Sequence, residues 1–174
     1  MLKEFNLLVT TSRGYESYAR GELQNLFEKV GDDAPTVERT GISGLIVVKS
    51  VLNPFEVIEQ FRRILHERPY EFRYTLRIIP IERVVRTDLN EIERAVAELG
   101  SKIREKETFR FTVEKRFTGI HSREIIERAA ANVKRKVDLA KPDKIILIEV
   151  VGDLTGLSLI KPEDVLSVLK EKLL

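Results

Sequence analysis

The chain has 174 residues, enough for one ordinary domain or two compact ones at roughly 100–200 residues per domain. Its 43% hydrophobic and 33% charged residues make it too apolar for disorder and too charged for a membrane protein. With no cysteine, two histidines and a net charge of +2, it excludes disulfides, thiolate nucleophiles, Cys-based zinc or iron–sulfur sites and a histidine-rich metal cluster.

In chain order, FNLLVT alternates Phe5, Leu7 and Val9 as a strand does, and TSRG breaks it. Tyr15, Ala19, Leu23, Leu26, Phe27 and Val30 recur at helical spacing between a Ser12 start and a Gly31 stop. Two short runs, Thr36 to Thr40 and Leu45 to Lys49, flank GISG and predict a hairpin that turns on Gly41 and Gly44. Asn53 caps a second helix, with Pro54 at its first position and Val57, Ile58, Phe61, Ile64 and Leu65 as its apolar stripe. From Phe72 to Ile78 an apolar face alternates with Arg73, Thr75 and Arg77. The order βαββαβ is the split-βαβ plan of a ferredoxin-like domain.

After Pro80 the period changes. Asp88 and Glu91 form a capping box for a helix that carries Leu89, Ile92, Val96, Leu99 and Ile103 and is expected to reach Lys106. FRFTVE predicts a strand, KRFTGIHS a connection, and Ser122 the cap of a helix expected to run to Val137. IILIEV is apolar on both faces and belongs in the middle of a sheet, with Leu157 to Ile160 as its hairpin partner across GDLTG. Pro162, Glu163 and Asp164 open a last helix. The expected fold is therefore α/β (α+β), a βαββαβ domain over residues 1–79 followed by an αβαββα domain over 80–174.

Charge is divided unevenly along the chain. Residues 1–67 hold 8 Lys/Arg against 10 Asp/Glu, residues 68–136 hold 17 against 11, and residues 137–174 hold 5 against 7. A clustered positive field favours a polyanion such as nucleic acid, although helix faces laced with i,i+4 pairs give the same count. The densest signal is FRFTVEKRFTGIHSRE. There Lys115 and Arg116 end a strand, Phe117 and Gly119 lie in the connection, and His121 precedes a helix with Arg123 in its first turn. Cations for phosphate, an aromatic face for a base and a helix N-terminus suit single-stranded nucleic acid. Phe117 can equally fold back as core, and His121 can serve only the capping loop. Arg83 and Arg86 add charge from the preceding segment.

Catalytic chemistry finds little foothold. There is no G-x-S-x-G turn, no Walker motif and no G-x-G-x-x-G. Acids such as Asp143, Glu149 and Asp153 beside strands are ordinary turn chemistry. No apolar run approaches the roughly 18–20 residues that span a bilayer, and Glu4 and Asn6 interrupt the start where a signal peptide needs apolar continuity, so a cytoplasmic protein is expected.

RYTLRIIPIERVVRTDLNEI, the strand FRFTVEKR with its downstream HS, REIIERAAANVKRKVDLAKPD, and IILIEV with GLSLI together resemble the THUMP domain, over about residues 72 to 165. The preceding segment resembles the ferredoxin-like domain that usually accompanies it. THUMP is an RNA-binding module of tRNA thiolation, methylation and acetylation systems, so the resemblance implies tRNA binding at the acceptor end, including the single-stranded 3′-CCA. Lys115, Arg116 and His121 match the family's strand-to-helix loop. A chain ending at Leu174 is most similar to freestanding THUMP proteins that assist an RNA acetyltransferase in forming N4-acetylcytidine, which implies a non-catalytic adaptor without cofactor or metal. The competing expectation is a ferredoxin-like regulatory protein that binds a small molecule on a sheet face or at a subunit interface.

Overall fold

The computed structural model describes residues 1–174 and divides them into two compact units, Met1–Ile81 with Asp164–Leu174, and Glu82–Glu163.

In the first unit, β1 (Leu7–Thr11), α1 (Glu16–Val30), β2 (Thr36–Arg39), β3 (Leu45–Lys49), α2 (Pro54–Glu67) and β4 (Thr75–Pro80) follow the expected βαββαβ order. All pairings are antiparallel and run β4-β1-β3-β2, the ferredoxin-like arrangement. Leu7, Val9, Ile46, Val48 and Ile78 face Leu23, Leu26, Phe27, Ile58 and Phe61 of the helices in one core. Helix α1 begins at Glu16, four residues after Ser12, because Gly14 takes a positive φ of 89° and holds the chain in a turn. It ends as expected on Gly31 in the left-handed region. In the β2–β3 hairpin a Cβ on Gly44 would meet the Thr11 carbonyl oxygen at 2.6 Å, so glycine is required there for space and for its φ of +74°. Asn53 caps α2 by accepting from the Phe55 and Glu56 amides. The fourth strand starts at Thr75, three residues later than its alternation suggests, because Pro69–Glu71 forms a 3-10 turn before it.

The C-terminal segment departs from expectation. Pro162–Asp164 makes a single 3-10 turn, and the chain then forms β10 (Leu166–Ser167) and α5 (Val168–Lys172). Strand β10 pairs antiparallel with β4, and Leu166 and Val168 are buried in the first core, so residues 164–174 belong to the first unit. Glu171 fastens α5 to α2, accepting from Arg62 Nε at 3.1 Å and lying 2.8 Å from His66 Nε2, while Lys172 Nζ donates to the Phe72 carbonyl at 2.9 Å. Burial raises the Glu171 pKa, but the hydrogen bonds and charges of His66 and Arg62 outweigh it and hold the carboxyl below its ordinary value. A depressed carboxylate pKa adds stability that is present above the unfolded pKa and lost as pH falls through the folded one. In urea unfolding, the stability advantage of the wild type over Glu171→Gln is therefore expected to shrink as pH falls below the ordinary carboxylate range, about 4. An advantage that persists undiminished at pH 3 would contradict this assignment.

The second unit comprises β5 (Arg83–Arg86), α3 (Leu89–Gly100), β6 (Thr108–Glu114), α4 (Ser122–Ala130), β7 (Lys136–Val137), β8 (Lys144–Val151) and β9 (Leu154–Ile160). Its sheet runs β5-β9-β8-β6-β7, with β6 parallel to β7 and β8 and the remaining pairs antiparallel. As its two-sided apolarity demands, β8 is central and almost wholly buried. Helices α3 and α4 cover one face of this sheet through Ile92, Val96, Leu99, Ile125 and Ala129, which pack on Phe109, Ile146, Ile148 and Leu157. The αβαββα reading missed two short strands. The segment expected to be connection contains β5, and the tail of the expected long helix contains β7.

Both helices end early where contacts between their two ends intervene. Helix α3 stops at Gly100, where a Cβ would lie 2.8 Å from Val133 Cγ2, and Ser101 Oγ donates to the Glu98 carbonyl. Helix α4 stops at Ala130, after which Val133 is buried, and Arg135 Nε donates to the carbonyls of Ile103 and Arg104. Those bonds turn Lys136 and Val137 onto Thr108 and Phe109 of β6. No helix is long and apolar enough to cross a membrane.

Candidate nucleic-acid interface

In the second unit, three connections meet at one end of the sheet. The first follows β6, carries Lys115 to His121 and leads into α4. The second is the β8–β9 turn, whose Gly152 amide donates to the Arg116 carbonyl at 2.8 Å. The third joins β5 to α3. There the Thr87 amide donates to the Asp153 carbonyl, and Thr87 Oγ1 donates to the Gly152 carbonyl at 2.8 Å. The carboxyl end of β6 and the starts of α3 and α4 therefore lie together, the place where α/β folds present ligand sites. Thr87 and Gly152 hold this arrangement. Neither stands out in the sequence beyond the turn signal of Gly152–Asp153.

Arg116 turns inward. Its Nη1 donates to Glu149 Oε2 at 2.8 Å, with the Arg116 side chain 19% exposed and that of Glu149 1% exposed. Two short facts explain this placement: Glu149 sits on the central strand, and a carboxylate there needs a counter-charge. Arg116 thus shapes the loop from beneath, with Glu149 as its partner. Asp143 is likewise occupied, accepting from the Thr108 amide and hydroxyl, while Asp153 lies exposed in the β8–β9 turn.

Phe117 turns outward. It is 80% exposed, with φ of 55°, the chain's one residue other than glycine at positive φ. Left-handed backbone costs an L-residue about 1–2 kcal/mol, and a bulky aromatic ring in that conformation with its surface in water invites a functional reading. Lys115 beside it is exposed, with Nζ donating to the Ile120 carbonyl at 3.1 Å, and Thr118 Oγ1 accepts from the Ile120 amide. His121, rather than Ser122, is the N-cap residue of α4, and its side chain makes no capping hydrogen bond, which leaves the first-turn amides open. Arg123 follows, exposed, within reach of Glu127 at 2.9 Å. Lys115, Phe117, His121 and Arg123 thus form one segment facing outward.

Of the two arginines of β5, Arg86 pairs in register with Leu154 and so lies at the same end of the sheet. Its side chain is well exposed, 2.6 Å from Glu91. Arg83 lies three residues back along the strand and is bound to Glu98 at 2.8 Å. That hydrogen bond raises the Arg83 pKa and lowers the Glu98 pKa, so its charge is already matched. No group of three His, Asp or Glu side chains is placed to hold a metal ion.

Residues 86–160 match the model of the THUMP domain. This stretch of the chain is similar to THUMP domains. The match begins at the last residue of β5, runs through β9 and includes the whole outward segment from Lys115 to Arg123. Over 99 residues, 57% of the chain, it is 37% identical to the uncharacterised protein MJ1257 of Methanocaldococcus jannaschii, of whose length that stretch is 26%. Among solved structures it is similar to PH1313 from Pyrococcus horikoshii, with a TM-score of 0.66 and 19% identity over 91% of this chain and 55% of that one. It is also similar to TrmN from Thermus thermophilus, with a TM-score of 0.59 and 15% identity over 90% and 45%. A 4-thiouridine synthetase, solved as an RNA complex with bound ATP, gives 0.55 and 16% over 91% and 42%. At these identities the structural likeness is one of fold, and it extends beyond the THUMP residues to the ferredoxin-like unit. The chain spans about a quarter of the curated relative and roughly half of each solved chain.

Proposed function

We propose that the chain binds tRNA, reads the unpaired 3′-CCA end of the acceptor arm, and presents the RNA to a separate modifying enzyme as a non-catalytic adaptor. The observation that carries the binding is the outward segment of the THUMP-like stretch. The exposed ring of Phe117 offers a stacking face, Lys115 and Arg123 offer cations, and the uncapped start of α4 offers amides for a phosphate. An unpaired end suits this surface because its bases are free to stack and its phosphates can follow the loop, whereas duplex bases are already stacked on each other. A 4-thiouridine synthetase of the same fold, in complex with RNA, supports this reading. The modification we propose is N4-acetylation of cytidine by a partner RNA acetyltransferase, which extends the resemblance of the sequence to the freestanding THUMP adaptors.

The adaptor role is tested by adding the purified chain to an RNA acetyltransferase and tRNA. The expected result is a gain of acetylcytidine that depends on both proteins, with no transfer by the chain alone. Turnover by the chain alone, surviving stringent purification, would overturn the adaptor role.

A further inference from the structure

Three of the chain's four tyrosines, Tyr15, Tyr18 and Tyr74, meet on the first unit. Tyr74, just before β4, is partly buried against the first core and anchors the group. Its ring lies 5.6 Å from that of Tyr15 at 21°, and 5.1 Å from that of Tyr18 at 25°. Tyr15 and Tyr18 remain 46% and 60% exposed. A groove of about 400 Å³, lined by Thr11, Ser12, Tyr15, Arg73 and Tyr74, opens beside them.

The acids nearby are committed elsewhere. Glu22 accepts the amides of Arg73, Tyr74 and Thr75 at 2.6–3.2 Å. Glu16 accepts the Gly44 amide and faces Arg39. The Arg73 side chain is exposed and in no ion pair, and it is the one charged residue among those lining the groove.

We infer that this groove is a second nucleotide subsite, where the base of an unpaired RNA residue stacks on Tyr15, which lines it, and its phosphate meets Arg73. The inference rests on the RNA-binding reading above and adds a contact on the ferredoxin-like unit. Ring faces with a neighbouring guanidinium recognise the flat base and the anion together, and stacking of this kind tolerates any base. One lining cation is a weak hold for a free mononucleotide. A strand held elsewhere by further phosphates supplies the missing affinity, which favours RNA as the source.

The chain has no Trp, so tyrosine fluorescence reports directly on this cluster, with Tyr70 as the one tyrosine outside it. Titration with a single-stranded ten-nucleotide RNA, chosen on the order of one short binding-site length, is expected to quench that fluorescence, and AMP at the same concentration is not. Tyr15→Leu is expected to weaken RNA binding about fivefold or more, and Tyr15→Phe to retain it. Arg73→Ala is expected to lower the magnitude of the salt slope by about 0.7. Quenching by AMP but not by RNA overturns RNA as the occupant. Wild-type RNA affinity in Tyr15→Leu, with the salt-dependent binding itself intact, overturns the tyrosine subsite alone and leaves the rings to a protein partner. Absence of RNA binding by the wild-type chain overturns the proposed function and this subsite together.

Discussion

Arg116→Ala is expected to destabilise the second unit by about 3 kcal/mol, because it strips a carboxylate on the central strand of the guanidinium that neutralises it. The loss comes mostly from the stranded charge, and only in small part from the contact itself. A paired substitution, Arg116→Met with Glu149→Leu, removes both charges and is expected to recover most of the stability. Urea unfolding of the three variants measures this. An Arg116→Ala protein that unfolds with the wild-type midpoint would show that Glu149 does not depend on Arg116, and the loop would need another explanation for its shape.

Phe117 is expected to behave in the opposite sense. Phe117→Gly frees the backbone at φ 55° and sacrifices little burial, so the fold should gain up to about 1 kcal/mol. The same change removes the stacking face, and tRNA affinity should fall about five- to one-hundred-fold. Trimming the 3′-CCA from the RNA should cost a similar factor. The two losses should not add, since each deletes the same interaction. A gain in stability together with a loss of binding separates a residue kept for its ligand from one kept for the fold. Losses that multiply would place the reader of the 3′ end elsewhere, with Arg86 at the same end of the sheet as the first alternative.

The ferredoxin-like unit was legible because each of its elements carries its own local signal. Asn53–Pro54 announces a helix start, Gly31 a helix stop and the GISG glycines a turn, and these are properties of a few adjacent residues. The two-sided apolarity of β8 located the centre of the second sheet for the same reason. The misread elements are those decided at a distance. Lys136–Val137 continues a helical pattern and becomes a strand only because Arg135 ties the chain to the carbonyls after α3 and β6 offers an edge. Leu166 and Val168 fall in the segment read as a last helix opened by Pro162. Their burial in the first core depends on a strand pairing with β4, nearly ninety residues earlier in the sequence.

The candidate site shows the same division. Lys115, Phe117, His121 and Arg123 could be singled out from their order in the sequence, and they share the outward segment. Arg116 could not be separated from Lys115 by sequence, because the residue that claims it, Glu149, is brought alongside only by the parallel pairing of β6 and β8. The tyrosine cluster was hidden for a related reason: Tyr15 and Tyr18 scan as helix residues and Tyr74 as a strand residue, and only the packing of α1 beside β4 stacks them.

The most direct test of the account is the affinity of the wild-type chain for intact tRNA measured across a range of salt. If the outward segment and its neighbouring cations engage four to six phosphates, the logarithm of the association constant should fall against the logarithm of salt concentration with a slope of magnitude about 3–5. A small-molecule regulatory protein has no such phosphate contacts to lose. An affinity for tRNA that stays flat between low and moderate salt, or no measurable binding at low salt, would contradict a tRNA-binding role.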